Sequence, residues 1–355
     1  MTKHNFSAGP SILPKEVFEG SSKAILQYQK TGLSIIEMSH RSKEVGLIIE
    51  EAKSLVTELL NLNGNEYEVL FLQGGASLQF LMVAYNLLNK KAGYLNTGSW
   101  SEKAIKEAKF FGEVIELSSS KNNEYRSIPK DFDIPDDIDY VHMTSNNTIY
   151  GTQYHSAPKI NVPLVVDSSS DIFSREFDYS SYDLIYAGAQ KNVGPAGVTL
   201  VIVKKDILGK VSREIPSMLN YNVHIEKKSL FNTPPVFAIY ATLLNLRWIK
   251  KKTITSISQN NRKKAKMLYD EIDNNKLFKG FSDVQDRSLM NVTFDLVDNN
   301  LSNTFDVIIE QSNISGVKGH RSIGGYRASL YNALPIKSVE ALINCMDELK
   351  IKFNK

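Results

Sequence analysis

A single lysine, Lys191, stands in Tyr186-Ala-Gly-Ala-Gln-Lys-Asn-Val-Gly-Pro-Ala-Gly197, among small residues and between the apolar runs YDLIY and VTLVIV. Lysine is rarely buried unless something pairs with it or its chemistry is needed. One reading is a basic residue in a surface hairpin between two strands. The other is an amine that must give up its proton and form a covalent bond. Holding such an amine neutral at pH 7, against a reference pKa near 10.4, costs about 4–5 kcal/mol. Covalent linkage to a carbonyl removes that cost, and the small neighbours would let a bound molecule approach the backbone closely.

Asp167 closes the apolar run PLVV, one expected strand before Lys191. It could be an N-cap after a strand. It could also be the acid that keeps a ring nitrogen protonated, with Asp171 as the competing carboxylate; one turn further on, Asp171 should point elsewhere. No two glycines lie two apart and no G-K-[ST] occurs, so neither a dinucleotide fingerprint nor a Walker P-loop is present. QGGASLQF is nonetheless a glycine-rich turn opening a helix, and the free N–H groups of a helix start suit a phosphate. A plain tight turn is the competing reading of Gly74-Gly75. A reactive lysine, an acid for a pyridine nitrogen and a phosphate cradle are together what pyridoxal phosphate chemistry requires.

The elements that must position these groups are legible as periodicity. Residues 15–30 and 42–62 read as helices; in the second, Val45, Ile48, Ile49, Ala52, Leu55, Val56, Leu59 and Leu60 recur at three and four. Short β-rich runs then alternate with helical ones: EVLFL before SLQFLMVAYNLL, AGYLN before SEKAIKEAKFFG, then EVIEL, YVHMT, VPLVV, YDLIYA and VTLVIV. Continuous rather than alternating apolar runs indicate strands covered on both faces, as in a largely parallel sheet. From about Thr253 a long polar helix, SLMNVTFDL, a helix near 302–313, RASLYN and a helix after Pro335 indicate a second, smaller α+β unit. The pieces QGGAS, NTGSW, TSNNT, DSSSD and GAQKN each follow a strand. Ligands in open α/β sheets lie outside the carboxyl ends of the strands, so these five pieces should form one site.

With 355 residues the chain can bury a substantial core, and its 42% hydrophobic and 23% charged fractions are ordinary for a globular protein. A net charge of +3 excludes the basic stripe of a nucleic-acid binder. Lys250-Lys251-Lys252 reads as the solvated C-terminal end of a helix. The lone cysteine, Cys345, forms no intramolecular disulfide and lies in an apolar-periodic stretch, which suits a core position and a reducing compartment. Without an apolar leader segment or a run approaching 18 apolar residues, the expected location is cytoplasmic.

The motifs NFSAGPSILP, MSHRSKE, FLQGGASLQF, TSNNTIYGTQ, AGAQKNVGPAG, FNTPP and GHRSIGGYRASLYNA run nearly end to end. In this order they resemble the phosphoserine aminotransferases, fold-type I pyridoxal phosphate enzymes. The resemblance implies an α/β fold with a mainly parallel seven-stranded sheet in a large domain, 16–252, and a small α+β domain of 1–15 plus 253–355. It implies that Lys191 carries the cofactor, Asp167 meets the pyridine nitrogen and Trp100 stacks on the ring. Ala76, Ser77 and Gln190 would hold the phosphate, Thr148 would contact the ring side, and Asn232 and Thr233 would reach the phosphate from the partner of a homodimer.

The implied reaction moves an amino group from L-glutamate to 3-phosphohydroxypyruvate, giving O-phospho-L-serine and 2-oxoglutarate in serine biosynthesis. Bacterial relatives extend it to phosphohydroxythreonine in pyridoxal phosphate synthesis. Such substrates carry two anionic ends. Arg327 is the implied clamp for the α-carboxylate, a bidentate task suited to guanidinium. The pairs His40-Arg41 and His320-Arg321 are candidates for the distal anion, with His40 and Arg41 supplied by the partner. Ser77 departs from some members, which have arginine there. A serine–pyruvate type aminotransferase and a catalytically silent cofactor or nucleotide binder are the alternative activities.

Overall fold

The computed structural model describes residues 3–353. Seven strands form the main sheet: β1 (Tyr67–Leu72), β2 (Lys91–Asn96), β3 (Glu113–Ser119), β4 (Tyr140–Thr144), β5 (Leu164–Asp167), β6 (Leu184–Gly188) and β7 (Thr199–Lys204). Their order across the sheet is β1-β7-β6-β5-β4-β2-β3. The pairs β2–β3, β2–β4, β4–β5 and β5–β6 are parallel, whereas β7 is antiparallel to both β6 and β1. The exception has a simple cause. The connection from β6 to β7 is residues 189–198, too short to hold the helical crossover that a parallel return needs.

Every residue of β4, β5 and β6 is buried, which accounts for their unbroken apolar character. Helices cover one face with Phe80, Met82, Val83, Ala104 and Ile105, and the other with Val45, Ile48, Ala52, Ile239, Leu243 and Leu246. On the second face, the helix Lys43–Leu59 begins where Ser42 accepts a hydrogen bond from Val45 N and buries Val45, Ile48, Ile49, Ala52, Leu55 and Val56. Each such side chain contributes about 1.5–3 kcal/mol on burial. The helix packs on Val236–Lys252, with Arg247 bidentate to Glu51 at 2.7 and 2.6 Å and Lys250 on Glu58 at 2.7 Å.

A second core gathers Phe6 with Leu268, Ile272, Phe294, Phe305, Leu342 and Met346. Around it lie the helices Ile254–Asn274, Ser302–Gln311 and Ile336–Phe353 and an antiparallel sheet of Phe278–Gly280, Asn291–Leu296 and Tyr326–Ser329. The chain's first strand, His4–Asn5, pairs in parallel with Ile314–Ser315. The segment that follows it returns to the main sheet, where Ser11 N donates to Gln190 O at 2.9 Å and Ser11 Oγ to Lys191 O at 2.6 Å.

Candidate active site

The carboxyl ends of the strands open into a cavity of about 330 Å3. All five polar pieces that follow strands contribute to its wall: Gly75, Ala76 and Ser77 after β1, Trp100 after β2, Thr144, Asn146 and Thr148 at and after β4, Asp167, Ser169 and Ser170 at β5, and Gln190 and Lys191 after β6. Arg327 closes it from the small sheet, His320 from the turn before that strand, and Ala8 and Gly9 from the N-terminal segment.

Lys191 lies in the β6–β7 connection, so a hairpin does carry it, but its side chain lines the cavity rather than the outer surface. The loop is rigidly held. Gly194 N donates to Ala189 O at 2.7 Å, and Asn192 Nδ2 to Ser170 O at 3.1 Å. A Cβ on Gly194 would meet Thr242 Oγ1 at 2.3 Å, so only glycine fits there. Burial pushes the Lys191 amine below the usual lysine range; Asp167 opposes that pull and Arg327 reinforces it.

Asp167, 6% exposed, ends β5 with Oδ1 accepting from Ser169 N at 3.0 Å and Ser169 Oγ at 2.6 Å. Burial pushes its carboxyl up, while Lys191 and the Ser169 donors pull it back toward ionisation. Asp171 does point elsewhere. Its oxygens accept from Ser145 Oγ at 2.5 Å, Ser168 Oγ at 2.8 Å and Gln153 Nε2 at 3.0 Å, and it pairs with Arg175 at 3.2 Å.

Trp100 donates from Nε1 to Thr148 Oγ1 at 3.1 Å, and the Lys191 amine stands 5.9 Å from its ring centre. Arg327 Nη1 donates to Thr148 O at 3.1 Å. Its Nε is buried without a partner among the described residues, so the Nε–Nη2 edge remains for a bidentate acceptor. Opposite, the helix Gly75–Leu87 follows Gly74, at φ 90°, and opens on Gly75, at φ 68°; a Cβ on Gly74 would collide with Leu78 at 2.5 Å. The first-turn N–H groups of this helix have no intrahelical acceptors and end at Ala76 and Ser77 beside the cavity.

The remaining expected residues lie outside this cavity. His40 is partly buried and Arg41 exposed, at the start of the helix Lys43–Leu59. Asn232 and Thr233 lie near Gln73, which donates from Nε2 to Thr233 O at 3.2 Å. Arg321 is exposed and lines an adjoining cleft, with His320 shared between cleft and cavity. Sequence reasoning overlooked Ala8, Gly9 and Phe80 on the cavity wall, and it had Asn146, Ser169 and Ser170 only as members of the pieces TSNNT and DSSSD. The motif NFSAGPS was visible but gave no sign that its backbone folds over Lys191, since that contact joins distant parts of the chain.

The residues fit pyridoxal phosphate: an amine and an acid facing one cavity, a helix start for an anion, and a buried guanidinium edge left open. Residues 3–342 match the family model described as Aminotransferase class-V. The chain belongs to the class-V aminotransferases. The phosphoserine aminotransferase of Flavobacterium psychrophilum is 58% identical over 99% of this chain and 100% of its own. Among solved structures, phosphoserine aminotransferase from Bacillus circulans subsp. alkalophilus superimposes with a TM-score of 0.96 at 44% identity, covering 99% of each chain. A pyridoxal phosphate-bound phosphoserine aminotransferase from Trichomonas vaginalis does so at 0.92 and 33%, covering 98% of this chain and 100% of its own. The likeness gives the class-V aminotransferase its fold-type I architecture across the whole chain rather than in one unit.

Proposed function

We propose that the protein transfers an amino group between L-glutamate and 3-phosphohydroxypyruvate, giving O-phospho-L-serine and 2-oxoglutarate, a step of serine biosynthesis. The observation that carries this reading is the convergence of Lys191, Asp167 and the open edge of Arg327 on one cavity, in a chain 58% identical to a phosphoserine aminotransferase over its full length. The cofactor is pyridoxal phosphate. When bound, it supplies an aldehyde that captures the substrate amine and a ring that accepts the electron pair of the broken Cα–H bond.

The chain's own groups do the rest. Lys191 Nζ, drawn toward neutrality by burial, would hold the cofactor and then serve as the base that accepts the proton from substrate Cα. Asp167 presents a carboxylate to the ring nitrogen. The Nε–Nη2 edge of Arg327 receives the substrate α-carboxylate, which restores the partner that the buried guanidinium lacks. Ala76, Ser77 and Gln190 hold the phosphate, Trp100 covers the ring and Thr148 fixes Trp100 through Nε1.

His40, Arg41, Asn232 and Thr233 complete the site from a second copy. Two observations support a homodimer: none of these four lines the chain's own cavity, and several apolar side chains between residues 18 and 47 are exposed. These are Phe18 at 55%, Leu26 at 82%, Ile36 at 65% and Leu47 at 54%. His320 and Arg321, with His40 and Arg41, meet the distal phosphate or carboxylate. Among the described residues no helix is long and apolar enough to cross a membrane; a cytoplasmic location suits the single buried cysteine.

The test is the visible spectrum of the purified protein. A band near ~400 nm from the lysine-bound cofactor should move on adding glutamate or phosphoserine, and the Lys191→Ala protein should lack both band and turnover. A protein that turns over serine and pyruvate but not phosphoserine would instead be of the serine–pyruvate type.

A further inference from the structure

The run Asp167-Ser-Ser-Ser-Asp171 contains three buried serines whose hydroxyls serve three different partners. Ser168 Oγ donates to Asp171 at 2.8 Å, Ser170 Oγ to Asn146 O at 3.0 Å, and Ser169 Oγ to Asp167 Oδ1 at 2.6 Å. The direction of the last bond follows without seeing a hydrogen. Gly188 N lies 3.0 Å from Ser169 Oγ and can only donate. The serine oxygen therefore accepts from Gly188, and its single proton goes to Asp167.

Oδ1 of Asp167 thus holds two donors, Ser169 N at 3.0 Å and Ser169 Oγ at 2.6 Å, while Oδ2 has no hydrogen-bond donor among the described residues. Rotation of the carboxylate away from this orientation would break both bonds. Gly188 is the last residue of β6, three positions before Lys191 in the chain. Through one hydroxyl, the acid at the end of β5 is indexed to the strand that launches the lysine.

We propose that Ser169 is a positioning residue for the reaction: it locks Asp167 so that Oδ2 is offered to the ring nitrogen of the cofactor. The assignment rests on the reading of Asp167 given above. A side chain with only a packing role would stabilise the turn without caring what the ring contains, whereas Ser169 acts solely through that nitrogen.

Binding to apoprotein separates the two. The probes are pyridoxamine 5′-phosphate and its 1-deaza counterpart, in which carbon replaces the ring nitrogen; neither carries an aldehyde, so neither bonds covalently to Lys191. Calorimetry should give wild-type protein a clear preference for the compound with nitrogen. In Ser169→Ala that preference should shrink by about tenfold to a hundredfold, the loss expected for a charge-assisted hydrogen bond, with affinity for the deaza compound nearly unchanged. Ser169→Thr, which keeps the hydroxyl, should recover the preference. Ser168→Ala should lower the melting temperature and leave the preference intact, because its hydroxyl serves Asp171. If Ser169→Ala does not fold, Ser169→Cys, with its weak donor, gives the same comparison. Full preference retained in either variant overturns the role of Ser169. Equal binding of both compounds by wild type overturns the reading of Asp167 itself, and with it the assignment.

Discussion

Asn245 donates from Nδ2 to the carbonyls of both Asn192 and Val193, at 2.8 and 2.9 Å, and so fastens the loop bearing Lys191 to the middle of the helix Val236–Lys252. Both carbonyls lie in buried surroundings, where an unpaired acceptor costs about 1–3 kcal/mol. Asn245→Ala should therefore lower stability by roughly 2–4 kcal/mol and loosen the lysine loop. Chemical denaturation reads the first effect. A fall in kcat larger than the change in KM for both substrates reads the second. Unaltered stability would mean that the loop holds itself.

Asp167→Asn should keep the cofactor attached while slowing proton removal from substrate Cα by about a hundredfold or more, the scale of losing a matched acid–base group. The measurement is the rate of a single half-reaction with phosphoserine, followed in the visible spectrum. Asp171 is in no position to compensate, since serine, glutamine and arginine side chains already occupy its oxygens. A half-reaction at the wild-type rate would contradict the placement of Asp167 against the ring.

The two arginine tasks should separate kinetically. Arg327→Ala should weaken every amino acid alike, because each carries an α-carboxylate. Arg41→Ala should lower kcat/KM for phosphoserine and glutamate by about tenfold to a hundredfold and spare alanine, which has no distal anion. Mixing Arg41→Ala with Lys191→Ala subunits then examines the shared site. Each hybrid dimer should regain one intact site. Hybrids that form and stay as poor as the Arg41→Ala parent would place Arg41 outside the partner's cavity.

His142 supplies a pH signature of the sheet itself. It is 1% exposed, stacked on Tyr94 at 4.9 Å and bonded through Nε2 to the Tyr186 hydroxyl at 2.7 Å. Its Nδ1 has no partner among the described residues, and burial drives its pKa down to about 3 from 6.5. In the unfolded chain the ring gains a proton below about 6.5, while in the folded protein it does not until about 3. The unfolded state thus binds more protons between these values, and stability must fall as pH drops through that window. His142→Gln should flatten this dependence between pH 6.5 and 5 in thermal unfolding. An unchanged slope would show that His142 is protonated inside the fold.

Strand positions and the gathering of five polar pieces at one sheet edge were readable because both rest on local patterns. Unbroken apolar runs mark buried strands, and glycine, serine and asparagine mark the turns after them. The antiparallel β7 was less obvious, since a short connection and a run like VTLVIV look alike in either direction. Lys191 and Asp167 stood out because charge among apolar or small residues is costly and so needs a reason. Ser169 did not, for three adjacent serines look identical until the partners on β6 are known. Gly9 and Ser11 escaped for the same reason: their contacts to Gln190 and Lys191 depend on how distant segments meet. That His40 and Arg41 lie outside the chain's own cavity was expected only from the resemblance, because no local pattern in those residues marks it.

The N-terminal segment that lies over Lys191 also sets a timetable. His4 and Asn5 take their partners at Ile314 and Ser315, and the Ala8 carbonyl is held by the Tyr331 hydroxyl, 323 positions along the chain. The seven strands are all synthesised by residue 204, yet His4, Asn5 and Ala8 cannot settle until Ile314, Ser315 and Tyr331 have followed. A nascent chain can thus complete its sheet and still have an open wall beside its lysine. The amine becomes enclosed only when segments 323 positions apart have both been made.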